Sequence, residues 1–362
     1  MRRVRFEDWA TIAEVCYYRK RFGAVLLIVA GVFLSVGFGQ QRSPKIDPEK
    51  LTIFAPLPNA FPAKTGAATE AQINLGRMLF YETRLSKSQK ISCNSCHTLD
   101  KYGVDSEPTS KGHKGQKGDR NSPTVYHAAG HFVQFWDGRA ADVEEQAKGP
   151  VLNPVEMAMP SAKQVIAVLE SMPEYVVAFK RAFPQDKDPL TYDNMGKAIG
   201  AFERNLVTPA RWDKFLKGDQ AALTTEEKTG LNRFMAAGCQ NCHSGVLLGG
   251  NMYRKMGVVK AYPDQSDLGR AKVTKADADK MSFKVPSLRD IEKTGPYFHN
   301  GKVEAIEEAV AQMADYQTGK RLSAADAKSI VTFLKTLTGE LPAEYIKPPE
   351  LPKSTPATPK PE

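Results

Sequence analysis

The sequence has few cysteines, little of the apolar–polar alternation that is typical of strands, and one long uncharged apolar run. Scarce alternation argues against a sheet-based architecture and favours a mainly α fold. The formal net charge is +9, yet no basic stripe or binding motif accompanies it, so we exclude nucleic acid as a partner. The five cysteines among 362 residues are informative because of how they are spaced.

The apolar run, from Phe22 to Gly39, follows two basic groups at residues 2–5 and 19–21. This order predicts an export signal over residues 1–39, which places the remainder of the chain in the periplasm. Gly37 and Gly39 offer a cleavage site, but the run also approaches the length of a membrane span. A cleaved signal peptide and an N-terminal membrane anchor therefore both stay open.

Four of the five cysteines form two CxxCH motifs: Cys93, Cys96 and His97, then Cys239, Cys242 and His243. Covalent attachment of a c-type haem requires this spacing, because each thiol adds to one vinyl group and the histidine becomes the proximal iron ligand. A zinc ribbon would place its two CxxC pairs about 15–20 residues apart, and neither a dithiol redox motif nor a disulfide needs the histidines. We predict two covalently bound haem c groups.

Similar helices surround each motif. Thr69 and Gln72 have the spacing of a capping box ahead of the first motif, and Thr224 and Glu227 repeat it ahead of the second. Apolar stripes predict a closing helix after each motif, at Met195, Ile199, Phe202 and Leu206, and at Ile330, Phe333, Leu334 and Leu337. Helix, haem motif, irregular loops and closing helix is the order of a class I cytochrome c domain, so we predict two such domains.

The predicted N-terminal haem domain covers residues 67–207, and the C-terminal haem domain covers residues 208–343. Residues 40–66 are proline-rich and predict a linker or extended arm. The tail over residues 344–362 is rich in proline and lysine and is expected to be disordered. A long insert between Thr98 and Pro189 exceeds what an electron carrier needs. Its first part, Tyr102–Arg120, is predicted to be a mobile loop.

Several segments resemble the bacterial di-haem cytochrome c peroxidases over Ala71–Leu341: NSPT at 121–124, FWDGRA at 135–140, NPVEM at 153–157, KVPSLR at 284–289 and GPYFHNG at 295–301. The resemblance implies a periplasmic oxidoreductase that reduces hydrogen peroxide to water. Its C-terminal haem would take electrons from a small cytochrome c or cupredoxin, and its N-terminal haem would reduce the peroxide. The sequence does not decide whether the protein forms a homodimer.

By the same resemblance, Met313 is the distal ligand of the second haem, and methionine ligation raises the reduction potential. His113 matches the distal ligand of the first haem, on the Gly- and Lys-rich loop, where its release would open the site to peroxide. His127 and His131, or a permanently open iron, remain alternatives to His113. Other methionines leave a core role for Met313 open: Met235, Met252, Met256 and Met281.

Three further positions carry catalytic roles in the resemblance. Glu156 looks like the acid/base that moves a proton between the two peroxide oxygens, and its apolar neighbours would raise its pKa. Gln146 resembles the accompanying hydrogen-bonding residue, and Trp136 resembles the tryptophan between the two haems. An ordinary surface carboxylate and a core aromatic are the plainer interpretations of Glu156 and Trp136.

Asn121, Thr294 and Pro296 match positions that hold a calcium ion in relatives, and oxygen donors suit that hard cation. Two other functions compete with peroxide reduction. A related di-haem class oxidises tryptophan on a partner protein and has tyrosine at the second distal position, which makes Tyr316 relevant. A di-haem electron-transfer cytochrome without substrate chemistry is the other, although Glu156 and the insert argue against it.

Overall fold

Helices dominate the computed structural model, which describes residues 44–63 and 66–362. Its α-helices are α1 Pro48–Leu51, α2 Glu70–Tyr81, α3 Cys93–Cys96, α4 Val143–Leu152, α5 Ala162–Glu170, α6 Pro173–Ala182, α7 Tyr192–Glu203, α8 Arg211–Leu216, α9 Thr225–Ala237, α10 Ala271–Thr274, α11 Ile306–Met313 and α12 Ala324–Leu334. Strands β1 Tyr253–Lys255 and β2 Ser282–Lys284 form one antiparallel pair. The predicted mainly α fold is confirmed.

Short helical turns connect these elements. The 3₁₀ turns are Thr83–Leu85, Leu99–Lys101, His113–Gly115, Ala128–Gly130, Gln220–Ala222, Cys239–Asn241, Asp277–Asp279, Ile291–Lys293 and Lys335–Leu337, and a π-helical turn spans Ala314–Thr318. The predicted export signal lies outside the described residues. Within residues 44–63 and 66–362, no helix has the length and apolar character needed to cross a membrane.

Two helix pairs repeat the same close crossing. Helix α2 begins with the predicted capping box and packs on α7, where a Cβ on Gly76 would lie 1.8 Å from the Ala198 carbonyl oxygen. Helix α9 also begins with its capping box and packs on α12, where a Cβ on Gly230 would lie 2.1 Å from the Ser329 carbonyl oxygen. Each crossing needs glycine, since any side chain would force the backbones apart.

Each helix pair belongs to its own apolar core. The first core gathers α2, α5, α6 and α7 around residues such as Phe80, Tyr175 and Phe202. The second gathers α8, α9 and α12 around Trp212 and Phe333, and it also buries Phe54 from the proline-rich arm. Each core therefore carries one CxxCH motif at its edge, since Cys93 packs against the first and Cys239 against the second.

The expectation of a disordered tail over residues 344–362 is wrong. The tail lies along the first core, where Tyr345 stacks on Phe202 with ring centroids 5.1 Å apart. Further along, Arg84 Nη1 donates to Ser354 Oγ at 3.0 Å and Arg84 Nη2 to the Pro352 carbonyl at 2.8 Å. Composition predicted disorder because the tail has little apolar surface of its own, but fixed polar partners on the first core compensate for that.

Replacing Arg84 with methionine is expected to release this tail and destabilise the first core. Glu82 is 1% exposed and accepts hydrogen bonds from Arg84 Nε at 2.7 Å and Tyr175 Oη at 2.7 Å. Removing the guanidinium leaves the Glu82 carboxylate buried without an ion-pair partner. The free energy of unfolding is therefore expected to fall by ~3–5 kcal/mol. Denaturant unfolding and amide exchange over residues 350–362 measure both effects. Unchanged tail protection would contradict this assignment.

Candidate active site

A cavity of about 600 Å³ surrounds the first CxxCH motif. Cys93, Cys96 and His97 line it on one side. Its other walls include the three residues predicted to be catalytic, Trp136, Gln146 and Glu156. The fold thus brings residues that lie far apart in the sequence together around one cavity.

The first motif has the chemistry that a c-type haem requires. Cys93 and Cys96 are free thiols at the two ends of α3, and burial raises the pKa of Cys96 to about 11, so it is a neutral thiol. His97 Nδ1 lies 3.3 Å from the Gly103 carbonyl oxygen, which orients the imidazole. Burial lowers the pKa of His97 and favours the neutral form that binds iron.

Glu156 reaches the cavity from the short segment after α4. Burial raises the pKa of Glu156, while Arg139 and a hydrogen bond from Asn153 act in the opposite direction. Asn153 Nδ2 donates to Glu156 Oε1 at 2.8 Å and so fixes one carboxylate oxygen. Gln146, on α4, lines the same wall. A carboxylate with a raised pKa inside a cavity suits proton exchange with a bound ligand.

The loop that carries His113 is fastened to the Glu156 segment. His113 N lies 3.0 Å from the Val155 carbonyl oxygen and 2.8 Å from that of Glu156. Gly112 lines the cavity, and a Cβ there would lie 2.0 Å from the Val155 carbonyl oxygen. The His113 side chain is 6% exposed, and within the described residues its Nδ1 has no hydrogen-bond partner.

His127 and His131, the two alternatives to His113, each make polar contacts of their own. His127 Nε2 accepts a hydrogen bond from Thr208 N at 3.0 Å and lies 3.0 Å from Thr208 Oγ1, which donates to Asp290 Oδ2. His127 Nδ1 faces Asp290 Oδ2 at 3.8 Å. Burial lowers the pKa of His127 to about 3, so it is neutral. His131 Nδ1 accepts a hydrogen bond from Lys284 Nζ at 2.9 Å. His131 lines the cavity and, within the described residues, its buried Nε2 has no hydrogen-bond partner, whereas Gly112 rather than His113 contributes to the lining. His113 and His131 therefore both stay candidates for the first distal ligand.

The second motif repeats the ligand geometry of the first. His243 Nδ1 lies 3.0 Å from the Leu248 carbonyl oxygen, and burial lowers the pKa of His243. Met313 ends α11. Beyond the π-helical turn that follows, Lys320 Nζ donates to the carbonyl oxygen of Ala236, near the end of α9 and three residues before Cys239. Met313 and Tyr316 both pack against one apolar cluster, made by Met256, Tyr262, Met281 and Phe283.

Trp136 lies between the first cavity and that cluster. It lines the cavity and is among the residues that pack against the cluster around Met313. Its Nε1 donates to the Asn121 carbonyl oxygen at 2.9 Å, and its ring lies edge-on to His299 at 6.4 Å. His299 in turn stacks on Phe283 at 4.2 Å. A continuous aromatic path therefore leaves the cavity towards the second half.

The predicted calcium donors are only partly brought together by these contacts. Asn121 N donates to the His299 carbonyl oxygen at 2.8 Å, which joins it to the segment that follows Thr294 and Pro296. Asn121 Nδ2 lies 3.1 Å from the Glu107 carbonyl oxygen. Within the described ranges no group of three His, Cys, Asp or Glu side chains could hold a metal. Any cation here would depend on neutral amide and carbonyl oxygens.

Two cavity residues were missed by sequence reasoning. Asn153 positions Glu156, and its place three residues earlier in the NPVEM segment could have revealed it. Glu203 also lines the cavity, and burial raises its pKa to about 8, assisted by the nearby Glu144 carboxylate. A glutamate at the end of the apolar helix α7 was the available signal.

The chain is similar to known di-haem peroxidases. A family profile described as di-haem cytochrome c peroxidase matches residues 70–221. The cytochrome c551 peroxidase of Pseudomonas aeruginosa is 44% identical over 345 residues, which cover 93% of this chain and 98% of that protein. The cytochrome c551 peroxidase of Nitrosomonas europaea is 47% identical over 290 residues, 79% of this chain and 85% of that protein.

A solved structure shares the fold. The crystal structure of a MauG-like protein associated with microbial copper homeostasis superposes with a TM-score of 0.72 at 26% identity, over 81% of this chain and 97% of that one.

Proposed function

The chain belongs to the di-haem cytochrome c peroxidase family, and we propose that it reduces hydrogen peroxide to two waters with two electrons from a small reduced cytochrome c or cupredoxin. The observation that carries this proposal is the single cavity shared by the first CxxCH motif, Trp136, Gln146 and Glu156. Turnover of peroxide by holo-protein with a reduced donor tests it directly. Export by residues 1–39 would place the reaction in the periplasm.

Two haems would be held in two class I cytochrome c-like domains, residues 67–207 and 208–343. The free thiols, the oriented proximal histidines and the repeated glycine crossing of α2 with α7 and α9 with α12 support this division. Bound haem supplies the one-electron chemistry, and the chain supplies its ligands: His97 with His113, and His243 with Met313. The thioether of Met313 would raise the potential of the second haem.

The residues of the cavity would handle the protons. Glu156, held by Asn153, would take a proton from one peroxide oxygen and deliver it to the other, which then leaves as water. Gln146 would orient the peroxide by hydrogen bonding. Trp136 would carry electrons along the aromatic path that begins at the cluster around Met313.

We also propose calcium at Asn121, Thr294 and Pro296. A calcium ion here would join the segment before Trp136 to the segment that holds His299. The two segments are already in contact, because Asn121 N donates a hydrogen bond to the His299 carbonyl oxygen and the Asn121 carbonyl oxygen accepts one from Trp136 Nε1. Neutral oxygens suit calcium, although without a carboxylate the affinity is expected to be modest.

His113 would control access of peroxide. Because its main chain is bonded to Val155 and Glu156, a movement of the loop also changes the acid/base segment. Replacing His113 with glycine is therefore expected to let the fully oxidised protein bind peroxide without prior half-reduction. If the open arrangement is ~1% populated in the wild type, the apparent affinity for peroxide rises about 100-fold.

Rapid mixing of oxidised protein with peroxide, followed by absorption, measures this change. Lys114→Gly is the matched control, since Lys114 has φ of 56° in the same turn and glycine adopts that conformation freely. The control should keep the wild-type requirement for reduction. If His113→Gly also kept it, the distal role of His113 would be ruled out.

A further inference from the structure

Lys284 differs from the other cationic side chains that line the first haem cavity. These are Lys117, Arg120, Arg139, Lys272 and Lys284. The first four each have a carboxylate partner: Lys117 with Glu107, Arg120 with Asp137 and Asp267, Arg139 with Asp137, and Lys272 with Asp267. Within the described part of the chain, Lys284 forms no ion pair.

Lys284 is nevertheless buried, with 5% of its surface exposed. It is the last residue of β2, and its main-chain N donates to the Trp136 carbonyl oxygen at 2.8 Å. Its Nζ donates to His131 Nδ1 at 2.9 Å and to the Val133 carbonyl oxygen at 3.2 Å. An ammonium has three N–H donors, so one remains for a ligand in the cavity.

A buried ammonium without a counter-ion is costly, and in the protein alone burial lowers the pKa of Lys284 to about 7. The opposing charge that acts on Lys284, Asp137, is already shared by Arg120 and Arg139. A haem brings two propionate carboxylates into this cavity. The cofactor therefore carries the carboxylate partner that Lys284 lacks in the protein alone.

We propose that Lys284 binds a propionate of the first haem, with His131 and the Val133 carbonyl holding its Nζ in place. Because Lys284 lies 153 residues from His131 and belongs to the second half of the sequence, this contact fastens the second half to the first haem. The inference rests on the proposed haem at Cys93, Cys96 and His97, but it does not depend on peroxide turnover.

A cation at a propionate offsets negative charge close to the iron and so favours the reduced state. Replacing Lys284 with methionine is expected to lower the midpoint potential of the first haem and leave that of the second haem unchanged. A tenfold loss in the reduction equilibrium corresponds to a shift of ~59 mV for one electron. Lys284→Arg keeps the charge and should recover most of the potential.

Spectroelectrochemical titration of both haems measures these shifts, and Lys272→Met is the control, since that cavity cation has its own carboxylate partner. Haem content per chain is determined first. Fewer than two haems in the wild type would defeat the proposed function itself. A first-haem potential that is unchanged in Lys284→Met, or that falls equally in Lys272→Met, overturns the propionate contact while the function stands. A loss that Lys284→Arg does not recover also overturns it, because the effect would then be one of packing.

Discussion

Replacing Glu156 with glutamine is expected to lower kcat for peroxide by about 10²–10⁴-fold, the range that positioned acid–base groups contribute. Glutamine has nearly the same shape and can still accept the Asn153 hydrogen bond, so the cavity should keep its form. It cannot take up and return a proton. Steady-state turnover with a reduced donor measures the loss, and absorption spectra confirm that both haems remain bound.

Glu145→Gln provides the matched control. The Glu145 side chain is 57% exposed and pairs with Lys148 on the outer face of α4, so its turnover should stay near that of the wild type. A Glu156→Gln rate within about threefold of the wild type would contradict the proton role, because acid–base groups contribute more than that.

The pH profile gives a second readout of the same residue. Glu156 must be ionised to accept a proton, and burial raises its pKa above the ordinary carboxyl range. Wild-type turnover should therefore fall as the pH falls through that raised pKa. The residual activity of Glu156→Gln should not show this fall at low pH.

Replacing Met313 with histidine is the other large change that we expect. Axial ligands set haem potentials over ~0.8 V, and exchanging a thioether for an imidazole should lower the second potential by something on the order of 0.1–0.2 V. The second haem would then accept electrons poorly from a donor, and reductive opening of the first site would fail with it. The potential and the methionine-to-iron charge-transfer band both report the exchange.

Met256→Leu serves as the control, since Met256 is a buried member of the cluster that Met313 packs against. It should leave the band and the potential unchanged. If the band survived Met313→His, another methionine would be the ligand. If the wild type lacked the band and Tyr316→Phe altered the second haem, the distal ligand would be Tyr316. The class that oxidises tryptophan on a partner protein would then become the better proposal.

Local chemistry explains which features the sequence could predict. The capping boxes of α2 and α9 depend on residues three positions apart, and each CxxCH motif is contained in five residues, so both are visible in the printed sequence. Glu156 and Trp136 came from resemblance, and the structure lines one cavity with both. Their catalytic roles remain predictions.

Contacts between distant parts of the chain explain the misses. The tail was expected to be disordered because its partners, Arg84 and Ser171, lie more than 180 residues away. His127 was kept as a candidate ligand because nothing near it in sequence showed that Thr208 would occupy its Nε2. Lys284 belonged to a recognised segment, but its bond to His131 exists only in the folded chain.

The central claim is that this chain holds two covalently bound haems with different tasks, and the mass of the denatured holo-protein tests it most directly. We predict a mass that exceeds the polypeptide by two haems, both retained under denaturing conditions because thioether bonds to Cys93, Cys96, Cys239 and Cys242 survive unfolding. A mass increase of one haem or none would contradict the account.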